Sequence, residues 1–166
     1  TRDNLHFRSS VWSKGGDLVS ASFKKFFNWG EQPELSYTPF SLKANGGVQL
    51  IEKVDGSTLI VSQFKGNNIA RTRGTLDASK MQSNGHEIAV LREKYPLAFD
   101  NTYVANGGAS LIFEWTSPLN RIILDYGDEP EIFLTGLISH EDYSLASQEF
   151  LDNLARQIGV KRPQVF

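Results

Sequence analysis

Residues 48 to 64 read VQLIEKVDGSTLIVSQF, in which two β-branched apolar runs are separated by the pair Asp55-Gly56. An Asp-Gly pair flanked by apolar runs is among the strongest short-range signals for a β-hairpin. The pattern therefore predicts that VQLIEKV (48–54) and STLIVSQF (57–64) are adjacent antiparallel strands. Lys53 would then stand at the end of the first strand, either as a solvated neighbour of the turn or as a nucleophile that the turn presents. The short pattern fits both roles.

Apolar runs elsewhere in the chain predict a β-rich core with flanking helices. A second tight turn, Lys65 to Asn68, leads into the predicted strand IARTR (69–73). Three later runs, about ten residues apart, favour antiparallel pairing: SLIFEW (110–115), RIILDY (121–126) and EIFLTGLI (131–138). Helices are predicted within HEIAVLREKY (86–95) and from Gln148 to Ile158, the second with Ser147 as N-cap and Gly159 as stop. The predicted fold class is α+β.

Composition narrows the function classes. The 166 residues are 40% hydrophobic and 11% aromatic, which suits one domain with a sizeable core. With 17 Lys+Arg against 19 Asp+Glu the net charge is −2, so any nucleic-acid site must be a local patch. The absence of cysteine excludes disulfides, thiolate zinc sites and cysteine catalysis. The three histidines have no ligand spacing, so no metal ligands are predicted among them.

The amino-acid sequence contains no recognisable targeting signal. No apolar run approaches the roughly 18 residues of a membrane span, and no signal-peptide pattern is present. We therefore expect a soluble, cytoplasmic protein without a membrane partner.

Three further clusters could carry chemistry. An aromatic and basic region comprises Phe7-Arg8-Ser9 and SFKKFFN (22–28), in which the phenylalanines could equally belong to the core and the lysines to solvent. In RTRGT (71–75) alternate arginines could form a phosphate-facing pair or an exposed strand face. In FEW (113–115), alternation places Glu114 on the face opposite its neighbours, where a solvated glutamate is the simplest interpretation.

Taken in order, RS, KKFFN, EKVDGS, RTRGT and FEWTSPLNRIILDY resemble the motifs of the covalent nucleotidyltransferases. They are most similar to those of ATP-dependent RNA ligases of the T-even phage tRNA-repair type. The resemblance covers about Arg8 to Tyr126, continues more weakly through EIFLTGLI, and includes the 61-residue spacing from Lys53 to Glu114 (114 − 53). It implies an antiparallel β-rich nucleotidyltransferase (ATP-grasp-like ligase) core, with ATP and Mg²⁺ as cofactors. The implied partners are RNA ends, a 5′-phosphate and a 3′-hydroxyl, with broken tRNA as one candidate.

The resemblance implies a role for each matching residue. Lys53 is the implied nucleophile, which attacks the α-phosphate of ATP and holds AMP as a lysyl phosphoramidate. Because the pKa of a free lysine is about 10.4, its activation requires desolvation or nearby cations, which Lys25 and Arg73 would supply. Arg8 and Lys25 are the implied upstream nucleotide contacts, and Phe27 would pack near the adenine. The remaining implied site residues are Asp55 and Gly56, which shape the pocket, Glu114, which would bind the ribose hydroxyls, and Glu52, which would help to frame the adenine.

Two motifs of these ligases have no match in the chain. It contains no Glu-Gly dipeptide, and its late basic pair Lys161-Arg162 precedes a proline outside any predicted strand. We therefore expect residues 1–166 to be one partial adenylation domain, incomplete at its C-terminal side, from a fragment or a truncated relative. Two alternatives to the RNA ligase stay open: a DNA ligase or capping-type nucleotidyltransferase, and a non-catalytic nucleotide- or RNA-binding module.

Overall fold

The computed structural model of the chain describes residues 2–32, 48–78, 85–118 and 123–166. Its strands are β1 (Val11–Trp12), β2 (Leu18–Ser20), β3 (Ser57–Phe64), β4 (Asn67–Arg71), β5 (Ala109–Thr116) and β6 (Glu131–Ser139). Its α-helices are α1 (Gly85–Lys94) and α2 (Gln148–Ile158). Short 3₁₀ segments occupy Arg2–Phe7, Pro96–Ala98 and Ala105–Gly107. The α+β class predicted from the sequence is confirmed.

Strands β3 to β6 form one antiparallel sheet in the order β4-β3-β5-β6. The register places Thr58 of β3 opposite Glu114 of β5. The connection from β3 to β4 is the two-residue turn Lys65-Gly66, whose φ values of 49° and 77° are those of a type I′ turn. This turn chemistry matches the right-handed twist of the strands that it joins, and the tight turn predicted here is confirmed.

Both α-helices cover one face of the sheet. The hydroxyl of the N-cap Ser147 accepts a hydrogen bond from the Phe150 amide, and α2 ends at Gly159 with φ 89°, as the sequence predicts. Helix and strand residues share one core cluster, which includes Leu59, Leu111, Phe113, Trp115, Leu134, Leu91, Leu151, Leu154 and Ile158. Among the described residues, no helix is long and apolar enough to cross a membrane.

The β1–β2 hairpin lies across the opposite face of the sheet. Its Ser20 hydroxyl accepts from Ser62 of β3 at 2.7 Å, and the Ala21 amide donates to Ser110 of β5 at 2.9 Å. Just after the hairpin, the Phe23 ring lies on Gly136 of β6, so closely that a Cβ at that glycine would come within 2.6 Å of the ring. The hairpin and the segment that follows it therefore pack on this face of the sheet and border any site that is formed there.

The predicted hairpin around Asp55-Gly56 is wrong. Residues 48–54 form no strand, and Ile51 makes only an isolated antiparallel bridge to Val165. The physical reason is that β3 already has β4 on one edge and β5 on the other, so neither edge is open to residues 48–54. Asp55-Gly56 leads into β3 from a segment that runs beside the sheet.

Two other strand predictions need correction. Arg121 and Ile122 lie outside the described residues, and residues 123–126 form no strand because β5 pairs directly with β6. Strand β4 begins two residues before the predicted IARTR strand and ends at Arg71. The strands predicted at 57–64, 110–115 and 131–138 and both helices are confirmed, with ends that differ by two residues at most.

Candidate active site

A cavity of about 420 Å³ opens beside the hairpin on this face of the sheet. Its volume lies within the roughly 300–1,000 Å³ typical of small-molecule sites. Five of the nine implied site residues line it: Arg8, Glu52, Lys53, Arg73 and Glu114. The other lining residues are Ser9, Ser22, Phe23, Phe26, Val54, Thr58 and Thr135. The fold thus gathers into one cavity side chains that lie far apart in the sequence.

Lys53 reaches the cavity from a segment whose backbone is held on both sides. The Glu52 amide donates to the Gln164 carbonyl, and the Asp55 amide donates to the Tyr126 hydroxyl, each at 2.8 Å. Between them the Lys53 side chain is 85% exposed, and its Nζ lies 3.3 Å from Asp55 Oδ1. The result is an accessible amine on a fixed backbone.

Gly56 occupies a position that leaves no space for a side chain. A Cβ built there would lie 2.0 Å from the carbonyl oxygen of Trp115, far inside any allowed contact. The Gly56 amide donates to Glu114 Oε1 at 3.2 Å. Glycine therefore lets the Lys53 segment approach β5 closely enough for its backbone to bind Glu114.

Glu114 projects from β5 into the cavity, opposite in direction to Phe113 and Trp115, as the alternation predicts. Its two carboxylate oxygens accept from the Gly56 amide and from the Thr58 hydroxyl, both at 3.2 Å. Burial is the largest influence on this group and raises its pKa, while these hydrogen bonds and the nearby Lys53 act in the opposite direction. Each carboxylate oxygen can accept more than one hydrogen bond, so Glu114 keeps capacity for a ligand hydroxyl.

The cationic side of the cavity is built by Arg8 and Arg73. The Arg8 guanidinium lies over the Phe26 ring, 5.3 Å from its centroid. The two arginine segments are joined because the Ser9 hydroxyl donates to the Arg73 carbonyl at 2.8 Å. Guanidinium groups bind phosphate oxygens well because of their fixed planar set of donors, so this side suits an anionic ligand.

Lys25 and Phe27 do not line this cavity. The Lys25 ammonium lies 4.9 Å from the centroid of the Phe27 ring, and the Lys25 amide donates to the Leu5 carbonyl. Phe26, the residue between them, lines the cavity with Phe23. The structure therefore brings the expected cluster of arginines and carboxylates together around Lys53, and it places this lysine–phenylalanine pair outside the cavity.

Arg71 does not form a pair with Arg73 on one strand face, because β4 ends at Arg71. The side chain is only 1% exposed, which excludes both the solvent-facing and the phosphate-facing interpretation. Its Nε donates to the Ser20 hydroxyl at 2.8 Å, and its Nη atoms donate to Ser9 and to the Thr72 carbonyl. Desolvation lowers the pKa of Arg71 to about 10.

Sequence reasoning missed several lining residues for different reasons. Thr58 had a usable signal, since it follows Gly56 by two residues and faces the same way as Glu114 on the neighbouring strand. Thr135 had none, because it reaches the cavity at an irregularity in the β5–β6 register. Ser9, Ser22, Phe23 and Phe26 belong to the aromatic and basic region that the sequence singled out, but no role was assigned to any of them.

Solved structures share this architecture. An archaeal ATP-dependent RNA ligase superposes with a TM-score of 0.63 at 14% identity, over 96% of this chain and 40% of that one. A mutant of the Naegleria gruberi RNA ligase, determined with ATP and manganese, superposes with a TM-score of 0.58 at 13% identity, over 89% of this chain and 48% of that one. The fold is therefore the nucleotidyltransferase fold of ATP-dependent RNA ligases.

Sequence comparison gives the family. A profile described as RNA ligase matches residues 7–166, so the chain belongs to the RNA ligase family. An RNA ligase of Rhodothermus phage RM378 is 32% identical, over an alignment that covers 75% of this chain. The chain matches only 34% of the length of that phage protein.

Proposed function

We propose that this chain is the adenylyltransferase core of an ATP-dependent RNA ligase, in one partial adenylation domain, with Lys53 as its nucleophile. The observation that carries the proposal is the cavity, which is lined together by an accessible lysine, a half-buried carboxylate and two arginines. Membership of the RNA ligase family supports the same activity. A lysine, an anion-binding side and an acceptor for hydroxyl groups are what the transfer of a nucleotide to an amine requires.

The proposed first step is an in-line displacement at the α-phosphate of ATP. The neutral Lys53 amine attacks phosphorus, a P–N bond forms, the bond from the α-phosphorus to the pyrophosphate oxygen breaks, and the amine proton passes to solvent. Arg8 and Arg73 bind the negative charge of the triphosphate, which is the main protein contribution to such reactions. Glu114 accepts hydrogen bonds from the ribose hydroxyls, and Phe23 and Phe26 provide apolar surface for the base.

A divalent cation fits this arrangement only with the nucleotide. Among the described residues, no group of three or more histidines, aspartates and glutamates could hold a metal ion. Mg²⁺ is usually held by substrate phosphates, water and one or two carboxylates, and Glu52 and Asp55 are the carboxylates that flank Lys53. When bound, the ion would supply neutralisation of the phosphate charge.

Intact-mass analysis after incubation with ATP and Mg²⁺ tests the first step. We expect the mass to increase by one AMP, and no increase in Lys53→Ala. Lys65→Ala is a matched control, since Lys65 is also an exposed lysine but lies in the β3–β4 turn. A folded protein that binds ATP reversibly without an adduct would instead favour a non-catalytic nucleotide-binding module.

RNA ends are the proposed acceptors of the activated AMP. The segment beside the cavity supports this partner, because residues 5–30 contain four lysines and arginines against one acidic residue in a chain of net charge −2. Four aromatic side chains of this segment are exposed: Phe7 at 53%, Trp12 at 42%, Phe26 at 68% and Trp29 at 73%. Exposed rings among cations are the usual surface for single-stranded RNA.

Tryptophan fluorescence tests this surface, because Trp12 and Trp29 are exposed whereas Trp115 is buried. A short 5′-phosphorylated single-stranded RNA is expected to quench the emission. Trp29→Ala should weaken its binding by roughly 5- to 150-fold, since stacking on one ring contributes about 1–3 kcal/mol. Tyr103→Ala is the control, because Tyr103 is as exposed as Trp12 but packs on Phe150 of α2. Equal binding by all variants would count against RNA at this surface.

A further inference from the structure

Arg71 is a buried cation whose hydrogen-bond partners in the described residues are all neutral. The side chain is 1% exposed and donates to two serine hydroxyls and two backbone carbonyls, of Ser9 and Thr72. Burying a charge is costly unless hydrogen bonds and favourable charges compensate it. A residue that only filled this space would not need to be charged, so its hydrogen bonds indicate what it does.

Two of these hydrogen bonds hold Ser9 in an unfavourable backbone conformation. Ser9 has φ 57°, in the left-handed region that costs a serine energy relative to a glycine. Arg71 Nη2 donates to the Ser9 carbonyl at 2.5 Å, and Nη1 donates to the Ser9 hydroxyl at 3.2 Å. Strained residues persist only where their surroundings fix them, and here the guanidinium of Arg71 does so.

The clamp formed by Arg71 and Ser9 connects both arginines of the cavity. Ser9 directly follows Arg8 in the chain, and its hydroxyl donates to the carbonyl of Arg73 at 2.8 Å. Arg8, Ser9 and Arg73 all line the cavity, whereas Arg71 does not. Ser9 therefore links the backbones of two cationic residues that are 65 residues apart in the sequence (73 − 8).

We propose that Arg71 is a positioning residue of the nucleotide site, which through Ser9 makes Arg8 and Arg73 converge on the phosphates of the ligand. This inference rests on the proposed function of the same cavity. It assigns to Arg71 an indirect action on phosphate binding and none on the nucleoside. It therefore predicts a difference between two ligands, ATP and adenosine, which a purely structural role would not produce.

The test compares ATP and adenosine affinities by titration calorimetry in variants whose folding is checked by circular dichroism and thermal melting. In Arg71→Met we expect the Kd for ATP to rise about tenfold or more and the Kd for adenosine to change by less than about twofold. Arg71→Lys should fall between the parent and Arg71→Met, because one ammonium cannot reach all the acceptors in the plane of the guanidinium. Ser62→Ala is the control, since Ser62 belongs to the same buried hydrogen-bond chain but does not contact Ser9.

A second pair of variants tests the clamp without removing the buried arginine. Ser9→Gly and Ser9→Ala both remove the hydroxyl, but only glycine adopts the left-handed conformation without strain. We expect Ser9→Ala to weaken ATP binding more than Ser9→Gly does. The proposal is overturned if Arg71→Met binds ATP as tightly as the parent, if ATP and adenosine weaken equally, or if the two Ser9 variants do not differ. A parent protein that binds no ATP would instead refute the proposed function.

Discussion

At the scale of single residues, close contacts and buried charges decide how the site is built. Gly56 is the clearest case, because the carbonyl of Trp115 lies where its Cβ would be. The contact is with backbone atoms of a central strand, which cannot move aside as a flexible side chain would. The identity of residue 56 is thus set by how closely the segment that leads into β3 approaches the Trp115 carbonyl of β5.

Replacing Gly56 by alanine should therefore destabilise the fold strongly. We expect Gly56→Ala to lower the free energy of unfolding by on the order of 3 kcal/mol, since forcing atoms into a packed interior typically costs this much. Urea unfolding followed by circular dichroism measures the change. Gly74→Ala is the control, because no atom lies within 4 Å of a Cβ built there, and it should differ from the parent by less than about 0.5 kcal/mol. Similar losses in both variants would contradict the geometry.

Glu114 makes stability depend on pH. Burial raises its folded-state pKa above the ordinary 4.5. At a pH well below 4.5, Glu114 is therefore protonated in both the folded and the unfolded chain. As pH rises from about 4.5 through the raised value, the unfolded chain loses its proton first, and stability falls. Glu114→Gln removes this titration. We expect the stability of the parent relative to Glu114→Gln to decrease as pH rises from 4 to 7 in urea unfolding, and parallel profiles would show that burial of Glu114 has no such effect.

At the scale of elements, the local sequence pattern predicted a helix or strand correctly where the residues that determine it all lie within the segment. Helix α2 has its apolar face, its N-cap Ser147 and its stop Gly159 within 13 consecutive residues, and all were predictable. Strands β3, β5 and β6 each contain a short apolar run whose consecutive residues are buried on both faces of the sheet. Segment 48–54 has the composition of a strand, but both edges of β3 are occupied by other strands. Composition does not show which strand edges are free.

The β3–β4 turn offers a prediction at this scale. Lys65 has φ 49°, a conformation in which asparagine is favoured over lysine in type I′ turns. We expect Lys65→Asn to raise the free energy of unfolding by up to about 1 kcal/mol, because it relieves part of the backbone strain. Lys14→Asn is the control, since Lys14 is also exposed in a hairpin connection but does not have a positive φ. A midpoint in urea that is unchanged or lower for Lys65→Asn would refute the interpretation.

At the scale of the whole molecule, the nucleophile segment depends on a distant part of the chain. The Glu52 amide donates to the Gln164 carbonyl and the Phe166 amide donates to the Leu50 carbonyl, each at 2.8 Å. Ile51 and Val165 form the bridge between these segments. Residues 164–166 thus hold the backbone that leads to Lys53, although they contribute no side chain to the cavity lining.

Removal of residues 163–166 should loosen this segment and leave the sheet intact. We expect the Glu52 amide to exchange its hydrogen at least about tenfold faster in the shortened chain, because its acceptor is removed. The amides of β5, in the centre of the sheet, serve as the internal reference in the same hydrogen-exchange measurement. Unchanged exchange at Glu52 would show that the C-terminal residues do not hold the segment.

The sequence by itself determined the class of fold, both helices, the central strands, the candidate nucleophile and most of the charged residues around it. The fold class, the helices and the strands follow from periodicity and capping, which are properties of neighbouring residues. The nucleophile and the charged residues follow from the resemblance that the ordered motifs carry. Only the tertiary structure decided that residues 48–54 run beside the sheet, that Phe26 and not Phe27 lines the cavity, and that Arg71 is buried behind Ser9. Each depends on which strand edges are occupied and which distant backbone atoms come close, and such contacts between remote segments are fixed only when the whole chain packs.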